Sequence, residues 1–272
     1  MPLPSSGAIS LNEIHVEAGG TSSTQASLND ADIRAMIGKS NNAQNSFSEY
    51  RGVSAAAPTG NYIGRILTTG NGFPSGYANL SSGTKIVVVT LQLAGPSNTY
   101  VSLGGTNMTQ ACKVDTVSPN SGIWQAAPTS AVYYLVTSAS GSTYITGNGG
   151  SGRSVAAVWE ITGYNSSTPT ATATAQNTNT SSYSKTISIS TQYNGITIGS
   201  GICEDTYPTG SVTVSNSDSL QQIDLESATN HYTWRDQGTS LGTTSYNCDQ
   251  NNPASNIVAG STIQQLAAAH WK

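Results

Sequence analysis

The sequence predicts a mainly β protein, with a short helical N-terminal segment followed by an antiparallel β-sandwich or jelly roll. Three observations predict it. Only 9% of the 272 residues are charged, against about 25% in ordinary soluble domains, so Ser, Thr, Asn and Gly carry the polar load. Thr suits pleated strands, while Gly, Asn and Ser suit the turns between them. From Gly60 onward, β-branched or alternating runs recur between turn-rich stretches, whereas the residues before it repeat a helix-start phrase three times.

That phrase is a hydroxyl, an apolar residue, a small polar residue and an acid. It reads Ser10-Leu11-Asn12-Glu13, then Ser27-Leu28-Asn29-Asp30, then Ser46-Phe47-Ser48-Glu49. A serine followed three residues later by an acid closes a helix N-terminus from both sides, so Ser10, Glu13, Ser27, Asp30, Ser46 and Glu49 are the predicted caps. Ile9 and Ile14 flank the first cap as a hydrophobic staple, and Gly19-Gly20 stops that helix. The second helix is predicted over Leu28–Ile37, with Ile33, Met36 and Ile37 on one face, Asp30 four residues before Arg34, and Gly38 as the stop. Phe47 and Tyr50 give a third short apolar turn ending at Gly52. This segment, residues 1–52, holds only 12 large apolar side chains, while ordering each residue costs about 1–2 kcal/mol. It is therefore expected to fold against something else, either the rest of the chain or another protein, and residues 53–59 form a linker that permits the second.

The body, residues 60–272, reads as one sandwich. Strands are predicted at Lys85–Leu93, Val132–Thr137 and Ser154–Thr162, and then at Thr168–Ala175 and Thr186–Thr191. Asn194-Gly195 ahead of Ile196-Thr197-Ile198 predicts a hairpin. Later strands are predicted at Ser211–Val214, Gln221–Glu226, His231–Arg235 and Asn256–Ala259. Leu266-Ala267-Ala268-Ala269 favours helix by propensity, yet a final strand would set Ala267, Ala269 and Trp271 on one face, and strand is the reading adopted.

Composition excludes several classes of function. With 10 basic and 14 acidic residues, a net charge of −4 and no basic cluster, nucleic acid is not an expected partner. No apolar run approaches the roughly 18 residues of a membrane span. The opening residues lack the basic region and apolar core of a secretory signal. Disorder conflicts with Ile86-Val87-Val88-Val89 and with 13 Tyr and 4 Trp. Cys112, Cys203 and Cys248 fit neither a zinc spacing nor a disulfide framework, although one pair could be bridged.

Catalytic constellations are weak. Gly238-Thr239-Ser240-Leu241-Gly242, followed by Asp249 and His270, matches the nucleophile-elbow pattern formally, but an elbow needs a buried strand before the serine and a helix after it. Asp224 with Glu226, or Glu204 with Asp205, would serve glycoside hydrolysis only across a cleft of about 5–10 Å. His15, His231 and His270 are isolated. The oxygen-rich loops Asp249-Gln250-Asn251-Asn252 and Asn216-Ser217-Asp218 lack the full calcium pattern, so no metal, cofactor or enzymatic activity is expected. Aromatic residues are the better lead, because sugar rings present apolar faces to them. Trp124 and Tyr164 stand in turn-rich sequence, and period two places Tyr232 and Trp234 on one face of a strand, so these four are candidate glycan contacts. Trp159, among Val155, Ala157 and Ile161, reads as core.

The opening Ser6-Gly7-Ala8-Ile9-Ser10-Leu11, followed by Ile14, Glu17, Gly19, the Ser27 phrase, Ile33-Arg34, Gly38 and Phe47-Ser48-Glu49-Tyr50-Arg51-Gly52, resembles the N-terminal segment of tail-fibre-like and other structural proteins of tailed, notably marine, phages. The resemblance covers roughly the first fifty residues. It implies a virion-attachment end docked on tail or baseplate proteins through Ile9, Leu11, Ile14, Leu28, Ile33, Met36, Ile37, Phe47 and Tyr50. It also implies a body projecting toward host-surface glycan, a homo-oligomer, most often a trimer, and a protein made in the host cytoplasm for the virion tail. A capsid decoration or collar protein and a polysaccharide depolymerase are the alternative expectations.

Overall fold

In the computed structural model of the chain, the described residues are 3–37, 39, 43–52, 57–68, 70, 72–93, 100–115, 128–150, 154–164, 166–180, 184–192, 195–204, 211–226, 229–238, 242–250 and 262–272. The three N-terminal phrases take three different forms. Ser10 caps helix α1 (Leu11–Glu17) with a full box: its hydroxyl accepts the Glu13 N–H at 3.2 Å, and the Glu13 carboxylate accepts the Ser10 N–H at 2.6 Å. Gly19, at φ 102°, ends that helix in the left-handed region. The second phrase closes a turn of its own, with the Asp30 carboxylate accepting the Ser27 N–H at 2.8 Å and the Ser27 hydroxyl accepting the Asn29 N–H at 3.1 Å. Helix α2 consequently runs over Ala31–Ala35 with Asp30 as its N-cap, shorter than the Leu28–Ile37 predicted. Gly38 lies outside the described residues. In the third phrase, Phe47–Tyr50 forms a 3-10 turn, with the Glu49 carboxylate accepting the Ser46 N–H at 2.7 Å.

The body is antiparallel β throughout its described pairings. Its first half comprises β1 (Thr59–Thr68), β2 (Gly76–Leu80), β3 (Lys85–Leu93), β4 (Val101–Leu103), β5 (Thr106–Asn107), β6 (Thr109–Asp115), β7 (Thr129–Thr137), β8 (Gly141–Gly147) and β9 (Ser154–Thr162). The second half comprises β10 (Ala171–Thr180), β11 (Ser184–Thr191), β12 (Ile196–Glu204), β13 (Val212–Val214), β14 (Ser219–Glu226), β15 (Thr229–Gln237), β16 (Gly242–Gln250) and β17 (Thr262–Trp271). The first half forms a large sheet, β1-β9-β3-β7-β6, and a small one, β2-β8-β4-β5. The second forms β10-β17-β12-β15-β14 and β11-β16-β13.

Those two orders are the same order. With the β4–β5 hairpin counted as one strand, each half runs first-last-third-sixth-fifth in its large sheet and second-seventh-fourth in its small one. This is a jelly-roll connectivity with its fifth strand carried to the large sheet, and it occurs twice. The single sandwich expected over 60–272 is thus two sandwiches in tandem. Side-chain alternation then stacks four layers. Val87, Val89 and Leu91 of β3 face the first small sheet, packing with Leu80, Val101 and Ile145. Ile86 and Val88 of the same strand turn the other way, meeting Ile196, Ile198, Ala267, Ala269 and Trp271 of the second large sheet. Leu266 and Ala268 of β17 point outward again, with Tyr232 and Trp234, onto Ile187, Ile189 and Tyr246 of the second small sheet. Every residue of β3 is buried because apolar layers cover both its faces, which is why it reads as a continuous β-branched run.

The seam between the two large sheets is partly polar. Thr233 Oγ1 donates to the Gly199 carbonyl and accepts from the Trp159 indole N–H at 3.0 Å and from Thr90 Oγ1 at 3.2 Å. One donated and two accepted bonds exhaust a hydroxyl. Gln92 Nε2 donates to Ser200 Oγ at 2.7 Å, and Ser130 Oγ to the Ser200 carbonyl at 3.0 Å. All these side chains are buried.

One predicted connection is overturned. β11 and β12 do not form a hairpin; β11 pairs with β16 in the small sheet, and β12 pairs with β15 and β17 in the large one. Ile187 and Ile189 belong to the outer core and Ile196 and Ile198 to the central one, so β11 and β12 lie in different layers. Asn194 and the strand expected at Asn256–Ala259 lie outside the described residues. The last strand is as predicted, with Ala267, Ala269 and Trp271 on the central face.

Candidate functional site

The N-terminal segment builds a core of its own from Leu3, Ile14, Ala18, Ile33 and Tyr50, with Ile9, Leu11, Ala26, Leu28, Met36 and Ile37 packed around it. Polar tethers fix its long connections. Arg34 Nε donates to Asn29 Oδ1 at 2.9 Å, and Asn45 Nδ2 donates both to the Leu28 carbonyl at 2.8 Å and to Tyr50 Oη at 2.9 Å. The Lys39 ammonium pairs with Glu49. That bond and the Ser46 N–H hold the Glu49 carboxyl below its ordinary range, as the Ser10 N–H and hydroxyl do for Glu13. Burial raises the Tyr50 phenol.

Of the nine residues expected to dock on a partner, Ile14, Ile33 and Tyr50 have no exposure and are committed inside the segment. Their docking assignment is corrected: they organise the segment and do not present themselves. Ile9, Leu11, Leu28, Met36 and Ile37 are half-buried, and Phe47 is 41% exposed. A cavity of about 490 Å³ opens beside α1, lined by Leu3, Pro4, Asn12, Glu13, Val16, Glu17 and Ser22. The segment meets the body at the end of β17, where Lys272 Nζ donates to the Glu17 carbonyl at 3.5 Å and its stem lies against Gly19. Gln192 Nε2 donates to the Gly19 carbonyl at 3.5 Å.

The four aromatic candidates fare differently. Trp124 lies outside the described residues. Tyr164 is half-buried against the central core. Tyr232 and Trp234 have no exposure at all, so their assignment as glycan contacts is overturned. The physical reason lies one strand away: in the β12–β15 register Gly199 sits opposite Trp234 and Gly201 opposite Tyr232. A Cβ at either glycine would overlap the ring above it, so the glycines form troughs that the two rings fill. Trp159 is core, as read.

The exposed aromatics are elsewhere. Tyr77 of β2 and Tyr144 of β8 are direct cross-strand partners on the outer face of the first small sheet, 68% and 42% exposed, with ring centroids 4.9 Å apart. Asn79 and Ser142 are the next pair on that face in one direction; in the other, Ser75 and Thr146 are joined by a 3.0 Å hydrogen bond. Gly104 and Gly105, both at positive φ, turn the neighbouring hairpin with no side chain beside Tyr144. The period-two runs Tyr77-Ala78-Asn79 and Ser142-Thr143-Tyr144 carry this signal in the sequence, but the strands are short and were not predicted.

The formal elbow is not built as such. Gly242 opens strand β16 where a helix would be required, and residues 239–241 lie outside the described set. His270 is structural: its Nε2 accepts the Gln192 N–H at 2.9 Å and its Nδ1 meets Thr197 Oγ1 at 3.0 Å. Burial, with the Lys272 charge, lowers its pKa to about 4. The side chains of Glu204, Asp205, Asp224 and Glu226 are outside the described set. Among the described residues no group of three His, Cys, Asp or Glu side chains could hold a metal ion. Cys112, Cys203 and Cys248 are all buried, and burial pushes the thiols of Cys112 and Cys248 up to about 12, disfavouring their thiolates. No helix among the described residues is long and apolar enough to cross a membrane. Compared with protein-family models, with curated proteins and with solved structures, the chain has no match.

Proposed function

We propose that the chain is a non-enzymatic structural protein of a phage particle, docked on tail or baseplate proteins through its N-terminal segment and displaying the double sandwich for contact with the host surface. The observation that carries this reading is the separateness of the N-terminal core. Leu3, Ile14, Ala18, Ile33 and Tyr50 share no cluster with the four buried clusters of the body, and the segment touches the body through Glu17 and Gly19 at the far end of β17. A self-organised element at one end of a sealed body suits an adaptor. The tandem jelly-roll order supports the same reading, since that connectivity recurs in viral capsid and lectin domains. Several copies held on one particle would add avidity to individually weak contacts.

Immunogold labelling of intact particles with antibody raised against residues 58–272 tests the proposal. Gold at the tail tip or fibres is the expected result. Gold spread over the head or collar would replace the tail assignment with a decoration or collar role, and unlabelled particles would overturn display at the virion surface. New reducing ends on host polysaccharide would replace adhesion with depolymerisation.

A further inference from the structure

The geometry points to a carbohydrate-binding face on the outer side of the first small sheet, centred on Tyr77 and Tyr144 and selective for neutral glycans. This deepens the proposed host-surface role by naming the site and the ligand chemistry. Two cross-strand tyrosines stabilise a sheet edge whether or not anything binds them, so the argument rests on what surrounds the pair.

First, the rings are offered to solvent. Tyr77 is 68% exposed and Tyr144 42%; Tyr100, just ahead of β4, is also 42% exposed, whereas aromatics that face inward from strands, such as Tyr232, Trp234 and Tyr246, are sealed. The two rings are tilted 56° to one another, so they form an angled pair, and a pyranose C–H face can cover one ring while its edge meets the other. Second, the groups flanking the rings are neutral donors and acceptors: Asn79 and Ser142 on one side, and the bonded Ser75–Thr146 pair on the other. Sugar hydroxyls match such groups one for one.

Third, the sheet's own residues carry no formal charge; the Glu160 carboxylate and the Lys85 ammonium reach its connections at Ser81, Gly83 and Ala139 and are spent there on backbone groups. The segments 66–84, 93–112 and 137–152, which supply its four strands and their connections, contain no Asp, Glu, His, Lys or Arg. A charged ligand seated on the two rings would lose hydration with no opposite charge among the flanking Asn79, Ser142, Ser75 and Thr146 to compensate it, whereas a neutral sugar loses none of that kind. Fourth, the equivalent face of the second half has the hydroxyls without the rings. On β11 and β16, Ser188 bonds Ser245 at 2.8 Å and Ser184 bonds Asn247 at 2.7 Å, so those groups satisfy one another across the ladder. The same architecture thus presents a self-paired polar surface on one side and an aromatic, unsealed one on the other.

Affinity electrophoresis of the full chain in gels containing dextran, mannan, galactan, alginate or heparin tests the inference. Retardation by at least one neutral polysaccharide, with neither polyanion retarding the chain, is expected. The Tyr77→Ala/Tyr144→Ala double variant should bind at least about tenfold more weakly, while Tyr77→Phe, which keeps the ring, should bind as the parent does. Circular dichroism melting of each variant separates lost binding from lost folding, and Tyr77→Thr provides a β-favouring replacement should the alanines unfold the sheet. No retardation by any neutral polymer, stronger retardation by alginate or heparin, or retardation that survives the double variant would overturn the site. Self-association abolished by the same two substitutions would instead make a second copy the occupant. Binding by a chain that is absent from particles would keep the site and remove the virion reading; labelled particles without binding would do the reverse.

Discussion

The indole N–H of Trp159, on the last strand of the first sandwich, donates to Thr233 Oγ1 of the second across 3.0 Å, with neither residue exposed. Because the Thr233 hydroxyl also accepts from Thr90 and donates to the Gly199 carbonyl, one oxygen joins four strands, β3 and β9 of the first half and β12 and β15 of the second. Thr233→Val keeps the shape and removes the acceptor, leaving a buried N–H unsatisfied at a cost of about 1–3 kcal/mol. Urea unfolding should show that loss, and Thr233→Ser should recover most of it. An unchanged midpoint for the valine variant would mean that the indole finds another partner.

Gly199→Ala is expected to be as damaging as a much larger change, because the added methyl would overlap the Trp234 ring. Overpacking of this kind costs about 1–3 kcal/mol. Combining it with Trp234→Leu should cost less than the sum of the two single changes, since each relieves part of the other's defect. Strict additivity in thermal melts would refute the trough-and-ring account.

Stability should fall on acidification before the carboxylates titrate. His270 Nε2 accepts a backbone N–H, so a second ring proton would set two N–H groups against each other. The folded pKa, about 4, lies below the ordinary 6.5. Between these values the unfolded chain binds a proton that the folded chain refuses, so stability is fully present above pH 6.5 and drains away as pH falls toward 4. The linkage is worth up to about 3 kcal/mol. Urea midpoints at a series of pH values measure it, and His270→Gln should flatten the profile in that window. A steeper decline is expected at lower pH, where Glu13 and Glu49, both held below their ordinary range, take up protons.

Ile33→Ala should loosen the N-terminal segment without disturbing the sandwiches. Truncating a fully buried isoleucine costs about 2–5 kcal/mol, and Ile33 packs only within the segment's own cluster. Hydrogen exchange should show lost protection in α1 and α2 with β3, β9 and β17 unchanged. Deleting residues 1–52 altogether should leave a folded body that no longer enters particles; a deletant that still assembles would remove the adaptor role.

Legibility in the sequence followed how locally each feature is determined. Lys85–Leu93 and Ser154–Thr162 are readable to the residue, because burial on both faces writes itself as a mostly apolar run, broken only by Thr90 and Gln92 in one and Glu160 in the other. The last strand was readable from the faces its alanines and Trp271 would occupy. The duplication was not readable, since Lys-Ile-Val-Val-Val-Thr-Leu-Gln-Leu of β3 and Ile-Thr-Ile-Gly-Ser-Gly-Ile-Cys-Glu of β12 share a position in the fold and almost no side chains. Tyr232 and Trp234 looked displayable because nothing within their own strand reveals glycines on the strand beside them. Ser27-Leu28-Asn29-Asp30 promised a cap and made a turn, as such side chains can bond the backbone outside a helix equally well. Tyr77 and Tyr144 give little sequence signal because five- and seven-residue strands leave too few alternations to register.

The stacking of the two large sheets also dictates what half of this protein would do alone. A chain ending near residue 164, or one beginning there, would expose the wall on which its missing neighbour belongs. That wall is built by the same five strands in the same order in both halves, with the third strand of one lying on the third strand of the other. Each fragment would therefore bare an apolar wall of the same strand order but with different side chains. Mixed together, the fragments should prefer each other, because only the unlike pair brings Trp159 to Thr233 and Gln92 to Ser200.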